Sequence, residues 1–127
     1  MKISDNASVV LQADGRGHFV TQGQINGGTA RMLVDTGASL VSMPAADAIR
    51  LGINYKTGAQ GFVSTANGVA PAYRVKLDTV KIGDLVLHQV DGLVQESGLP
   101  IILLGMSFLN RTEMRRDGDT MTLKRRY

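Results

Sequence analysis

Among the residues able to do chemistry, Asp35 has the neighbourhood best suited to proton transfer. It closes the apolar run Met32-Leu33-Val34 and is followed by Thr36-Gly37-Ala38-Ser39, a small polar residue and then a glycine suited to a tight turn. A carboxylate at the end of a hydrophobic strand sits in largely apolar surroundings. Burial there raises its pKa unless donors surround it, which makes such an acid a candidate for acid–base work. A plain strand end with an Asx-type turn produces the same triplet. Competing chemistries are poorly supplied. The chain has no cysteine, so disulfides and thiolate sites are excluded. Its two histidines, His18 and His88, lie too far apart in sequence to make a zinc set by themselves. No metal and no cofactor is expected.

The elements that must hold Asp35 read mostly as strands. Val9-Val10-Leu11 is a short apolar run, and Asp14-Gly15-Arg16-Gly17 is a strong turn signal. Residues 18–25 alternate, Asn26-Gly27-Gly28 turns the chain back, and residues 29–34 form the next strand, a hairpin that delivers Asp35 at its far end. Leu40-Val41-Ser42-Met43 reads as another strand. Pro44 fits the first turn of a helix over residues 45–51, with Gly52 as its stop and Ile49 facing inward beside Ala45. Gly61 to Ala66, the turn Asn67-Gly68 and Val69 onward make a second hairpin. Its Asn-Gly pair suits a type I′ turn, in which both positions need positive φ. Residues 73–78 alternate cleanly, and the pattern continues over residues 80–90 with a turn at Gly83-Asp84. Residues 99–104 are apolar apart from Pro100 and fit a fully buried strand; Gly105 ends it, one or two helical turns follow over residues 106–110, and residues 120–124 are the last strand.

Composition bounds the rest. A chain of 127 residues is expected to be one domain, with the polar first seven residues frayed, and it is long enough to bury roughly two-thirds of its unfolded surface. A hydrophobic fraction of 43% with 15 glycines and no tryptophan suits a turn-rich β protein. The net charge of +3 permits an acidic partner without demanding one. Much of the excess is terminal, in Arg115-Arg116 and Lys124-Arg125-Arg126, where Asp117 and Asp119 interrupt it and no aromatics interleave, so a solvated edge is expected and not a nucleic-acid surface. No apolar stretch reaches the roughly 20 residues of a membrane span, and the first residues lack the apolar core of a signal peptide. This segment is therefore expected to make no membrane contact.

Taken in order, an Asp-Thr-Gly strand end, a glycine-bearing hairpin, a buried apolar strand ending in glycine and a short helix resemble the plan of the retropepsin-like aspartic proteases, from about Phe19 onward. Met32 to Ser39 is similar to their active-site motif. Ile102-Leu103-Leu104-Gly105 is similar to their second motif, which packs against the catalytic loop. The run Leu104 to Asn110 looks like the bacterial single-domain branch. The resemblance implies a mostly β, closed-barrel acid-protease fold with one or two short helices. It implies Asp35 as catalytic residue, Thr36 locking two loops together across a dimer, and Gly37 admitting substrate backbone, with Ala38 and Ser39 completing the active-site loop. The segment Phe62-Val63-Ser64-Thr65-Ala66, the tip Asn67-Gly68 and Val69 would be a flap closing over an extended peptide. Pro100, Ile101 and Leu103 would line apolar pockets, and Leu104 and Gly105 would support the loop.

Peptide hydrolysis needs one acid and one base, and the chain has no second Asp-Thr/Ser-Gly. The resemblance therefore implies a homodimer that joins two copies of Asp35, with residues 8–13 and 120–127 as candidate contact strands. Two departures stand out. Retroviral members often carry a paired Asp and Arg where this chain has Ser39 and Met106, and many pepsin-like members have a serine donor where Ala38 stands. Without that donor the expected pH optimum is mildly acidic. The alternative reading is a catalytically weak dimer of the same fold that binds peptides. By analogy with bacterial relatives, the expected address is the periplasm or the inner membrane, through an anchor outside this segment.

Overall fold

The computed structural model describes residues 7–126. Strand β1 (Ser8–Gln12) precedes the hairpin of β2 (Val20–Ile25) and β3 (Gly28–Val34), whose far end is Asp35. The hairpin turns at Asn26 and Gly27, with φ of 51° and 83°, the doubly positive turn that Asn-Gly makes at little cost. After the Asp35 loop come β4 (Val41–Pro44), α1 (Ala45–Arg50) and a 3₁₀ turn at Tyr55–Thr57. A long hairpin follows, β5 (Gln60–Thr65) with β6 (Gly68–Ile82), and β6 turns into β7 (Leu85–Gln95). The chain ends with β8 (Ile102–Leu104), α2 (Met106–Leu109), β9 (Thr112–Asp117) and β10 (Thr120–Arg125).

Six strands close into a barrel in the order β2-β3-β8-β4-β7-β6. The ring shuts because β2 pairs with β6 at Gln24–Lys81 and Ile25–Val80. This is the mostly β, closed-barrel class with two short helices that the sequence implied. Alternation drives it: Ala30 and Met32 of β3, Val80 and Ile82 of β6, and Ile102 and Leu104 of β8 are buried, while the residue between each pair is partly or fully exposed. β5 lies outside the ring, and β1-β10-β9 form a separate three-stranded sheet. No helix of the described residues is long and apolar enough to cross a membrane.

Several local expectations are corrected. Ile49 is 69% exposed; the inward residue of α1 is Ala48, because the side of the helix that meets the core carries Ala45 and Ala48, three residues apart, and turns Ile49 away. The buried strand expected over residues 99–104 is only Ile102–Leu104. Pro100 is exposed, and Ile101 and Leu103 are half-buried, because β8 has one face outside the barrel. The second hairpin turns at Ala66-Asn67, since Thr65 pairs with Gly68, and the positive φ falls on Gly68 alone (113°). Fraying does not extend to Ala7, which is buried and whose carbonyl accepts the Arg125 N–H at 2.9 Å; the remainder of that expectation lies outside the described residues. β9 was not read from the sequence at all. Its run Thr-Glu-Met-Arg-Arg-Asp is too charged to show a strand pattern, yet it pairs with β10 along its full length.

The terminal segments expected as candidate contact strands between copies pair with each other within one chain, Ser8–Gln12 with Thr120–Lys124. β10 lies between β1 and β9, so both of its edges are occupied, leaving the outer edges of β1 and β9.

Candidate active site

Asp35 leaves β3 at a point where the chain is clamped from one side. Its N–H donates to the Leu104 carbonyl of β8 at 3.1 Å, continuing the parallel β3–β8 ladder by one rung. Its carbonyl accepts the Ala38 N–H at 3.2 Å, and its Oδ1 accepts the Gly37 N–H at 2.9 Å. A Cβ at residue 37 would sit 3.2 Å from that same oxygen, so glycine keeps the turn tight without crowding the carboxylate. The expectation of a carboxylate enclosed in apolar surroundings is corrected here. In the single chain Asp35 is half-buried, with Thr36, Gly37 and Ser39 exposed and Ala38 half-buried, because the clamp covers only the loop's inner side.

The clamp is α2 and the glycine before it. Met106 N–H donates to the Ala38 carbonyl at 2.8 Å and Ser107 N–H to the Ser39 carbonyl at 2.9 Å. Gly105 allows this approach. A Cβ there would overlap the Leu40 carbonyl oxygen and come within 2.7 Å of the Ala38 carbonyl oxygen. The glycine is thus needed for its missing side chain, and its φ of −91° is one any residue adopts. The same two hydrogen bonds bring the backbones of Ser39 and Met106 together, and neither side chain carries charge.

Ser107 contributes a side chain that sequence reasoning did not single out. Its Oγ accepts the Val41 N–H at 2.9 Å and donates to the Asp91 carbonyl at 2.6 Å. The Asp91 carboxylate faces outward to Lys76 Nζ at 2.6 Å, and that ammonium holds its carboxyl below the usual aspartate range.

An apolar floor runs beside the loop. Val20, Leu33 and Leu103 stand side by side across β2, β3 and β8, all half-exposed, and Ile101 and Pro100 continue the chain before β8. Val20 and Leu33 were also missed by sequence reasoning. The signal for Leu33 was its place two residues before Asp35, on the same face of a period-two strand.

The second hairpin has two unlike faces. Phe62 and Val69, 69% and 70% exposed, share one face with Ser64 and Pro71, whereas Val63 and Thr65 are half-buried and Ala70 buried on the other. Thr65 finishes the turn: its Oγ1 donates to the Gly68 carbonyl at 2.7 Å and accepts the Asn67 N–H at 3.2 Å. Its Cγ2 lies where a Cβ on Gly98 would be, 2.6 Å away, so the hairpin tip rests on the 96–99 loop that leads to Pro100. That loop is anchored in turn by Glu96, whose N–H donates to the Pro71 carbonyl at 3.1 Å. Its carboxylate accepts the Tyr55 hydroxyl at 2.7 Å, a bond that pushes the phenol's pKa up. Among the described residues there is no cluster of three or more His, Cys, Asp or Glu able to hold a metal.

Comparison with known proteins places this arrangement. The family described as "gag-polyprotein putative aspartyl protease" matches residues 21–111. An uncharacterised protein of Sinorhizobium sp, from the cobV 5' region, is 40% identical over 108 residues, covering 84% of this chain and 46% of the relative. The uncharacterised protein RP867 of Rickettsia prowazekii is 34% identical over 117 residues, covering 91% of this chain and 50% of the relative. The chain thus spans about half the length of the curated relatives it matches. Among solved structures, a retropepsin-like aspartic protease from Rickettsia conorii superimposes with a TM-score of 0.80 at 32% identity, over 92% of this chain and 98% of that one. The retroviral protease-like domain of Ddi1 from Leishmania major shares the fold, with a TM-score of 0.61 at 20% identity over 87% of this chain and 83% of that one.

Proposed function

Because the chain belongs to the retropepsin-like aspartic protease family, we propose that two copies of it assemble into an endopeptidase whose reacting groups are the two Asp35 carboxylates. The observation that carries this reading is the Asp35 loop. One carboxylate is held by backbone clamps on its inner side, and Thr36 and Gly37 are exposed on the other. A second copy facing that open side would bring the carboxylates together, with Thr36 of each loop available to bond across. Two carboxylates a few ångströms apart cannot both ionise cheaply, so the pair holds a single proton. The ionised member takes a proton from water as the water attacks the peptide carbonyl, and the protonated member donates to the carbonyl oxygen, giving a gem-diol. The dyad then protonates the amide nitrogen and takes back a gem-diol hydroxyl proton as the C–N bond breaks, releasing acid and amine with one proton again shared. No covalent intermediate forms.

Substrate would lie extended over the floor of Val20, Leu33, Ile101 and Leu103, with Pro100 at its margin, beneath the 60–73 hairpin acting as a flap. Backbone hydrogen bonds would give affinity and apolar side chains selectivity. The flap's inward residues are Val63 and Thr65; Phe62 and Val69 project from its outer face.

The test is cleavage of an unstructured protein such as casein between pH 4 and 7, for wild type and Asp35→Asn, with and without pepstatin, across a dilution series. The expected outcome is a loss of roughly a thousandfold or more in Asp35→Asn. Activity per chain should fall on dilution, and the optimum should be mildly acidic. Cleavage that survives Asp35→Asn overturns the proposal. A chain that binds peptides at all concentrations and cleaves none supports the peptide-binding alternative instead.

A further inference from the structure

We infer that Ser107 is a positioning residue for the Asp35 loop, acting through Val41; this rests on the endopeptidase reading above. The loop is tied to α2 by three hydrogen bonds. Two of them, Met106 N–H to the Ala38 carbonyl and Ser107 N–H to the Ser39 carbonyl, are backbone bonds that any non-proline residue would supply. The third, from Val41 N–H to Ser107 Oγ at 2.9 Å, exists only because residue 107 carries a hydroxyl.

The place of that hydroxyl gives it leverage. β4 and β7 pair in parallel beginning at Val41 with Gly92. Just before that first rung, the Val41 N–H and the Asp91 carbonyl each need a partner, and the Ser107 hydroxyl serves both. It accepts from Val41 and donates to Asp91 at 2.6 Å. A hydroxyl has one proton to give and lone pairs to receive, so one side chain closes the ladder where the loop enters it. Val41 is fully buried. Without the hydroxyl its N–H has no water at hand, and the backbone must shift to find a partner. The displaced segment is the exit of the loop whose entrance is Asp35. Reaction rate is sensitive to small displacements of reacting groups, whereas Val20 and Leu33 of the substrate floor lie on β2 and β3, which do not pair with β4.

The experiment compares Ser107→Ala, Ser107→Cys and Ser107→Thr with wild type, by steady-state cleavage of one peptide substrate and by amide exchange at Val41. The expected result for Ala is a fall in kcat of about 10- to 100-fold, with KM within about twofold. Val41 exchange should be faster. Cys, close in size but a poor acceptor, should behave like Ala even if Ala folds badly. Thr keeps the hydroxyl and should restore both kcat and Val41 protection. Unchanged kcat in both Ala and Cys, a rise in KM alone, or failure of Thr to restore kcat while restoring Val41 protection would each overturn the inference. If wild type does not cleave, the endopeptidase reading fails and takes the positioning role with it. Val41 exchange, read without substrate, then shows separately whether the hydroxyl braces the loop.

Discussion

Gly105 shows how a single residue sets the distance between two parts of the site. Two carbonyl oxygens of the loop, from Leu40 and Ala38, occupy the space that any side chain would fill. Backbone on both sides leaves little room to yield, and α2 must retreat if a methyl is added. Gly105→Ala is expected to lower stability by about 1–3 kcal/mol, the usual penalty for forcing a methyl into packed surroundings. A urea titration should show a lower midpoint at an unchanged slope. A midpoint equal to that of wild type would mean the clamp is not tight. Asp35 teaches a related lesson. Its place at the end of an apolar strand is a property of the chain, but its burial depends on what covers the open side, and one chain covers only the other.

The β5–β6 hairpin is fixed at its base, where residues 72–82 pair with β7, and its tip rests on the 96–99 loop through Thr65. Thr65 does two jobs with different atoms: Oγ1 closes the turn, and Cγ2 sits on Gly98. The two can be separated chemically. Thr65→Ser keeps the hydroxyl and removes the methyl, whereas Thr65→Val keeps a methyl and loses the hydroxyl. Amide exchange in β5 and in the 96–99 loop should quicken in the serine variant, by several-fold. The valine variant should instead loosen the turn at Ala66-Asn67 while the 96–99 loop stays protected. Equal behaviour of the two variants would show that the tip is held by something other than this contact. Such low-stability elements are the ones expected to move when a cleft opens and closes.

At the scale of the whole molecule, the small terminal sheet shares the barrel's apolar core through Leu11, Met121 and Leu123, and two arginines add hydrogen bonds across the join. Gln89 has φ of 53°, and the β6–β7 register passes from Leu77–Val90 to Thr79–His88 without a rung at Gln89. The carbonyl of His88 is thereby free to accept Arg111 Nη1 at 2.8 Å, and the Val86 carbonyl accepts Arg125 Nη2. The guanidinium forks reach from β10 and the start of β9 to an edge of β7 that lies beyond its pairing with β4. Arg111→Ala is expected to cost on the order of 1 kcal/mol, the net worth of one such bond. Exchange should rise in β9 and β10 more than in β2, β3 or β8. A uniform rise across both sheets would mean that the sheets unfold together and that the arginine does not set their coupling.

What the sequence determined by itself was local. The Asp35 loop, the Asn26-Gly27 turn, the alternation of β6 and the stop at Gly52 (φ 75°) follow from residues within a few positions of one another, where strand period and glycine geometry suffice. The family resemblance supplied the barrel. Tertiary structure decided whatever depends on neighbours distant in sequence. It made a strand of the charged run Thr112–Asp117, because β10 offered an edge to pair with. It turned Ala48 inward and Ile49 outward by setting which side of α1 meets the barrel. It shortened the 99–104 strand by exposing one face of β8 beside Leu33. And it set Ser107 between Val41 and Asp91, 66 and 16 residues away along the chain. No pattern in the sequence announces such a contact, because a serine gains this role only where two backbone groups converge on it.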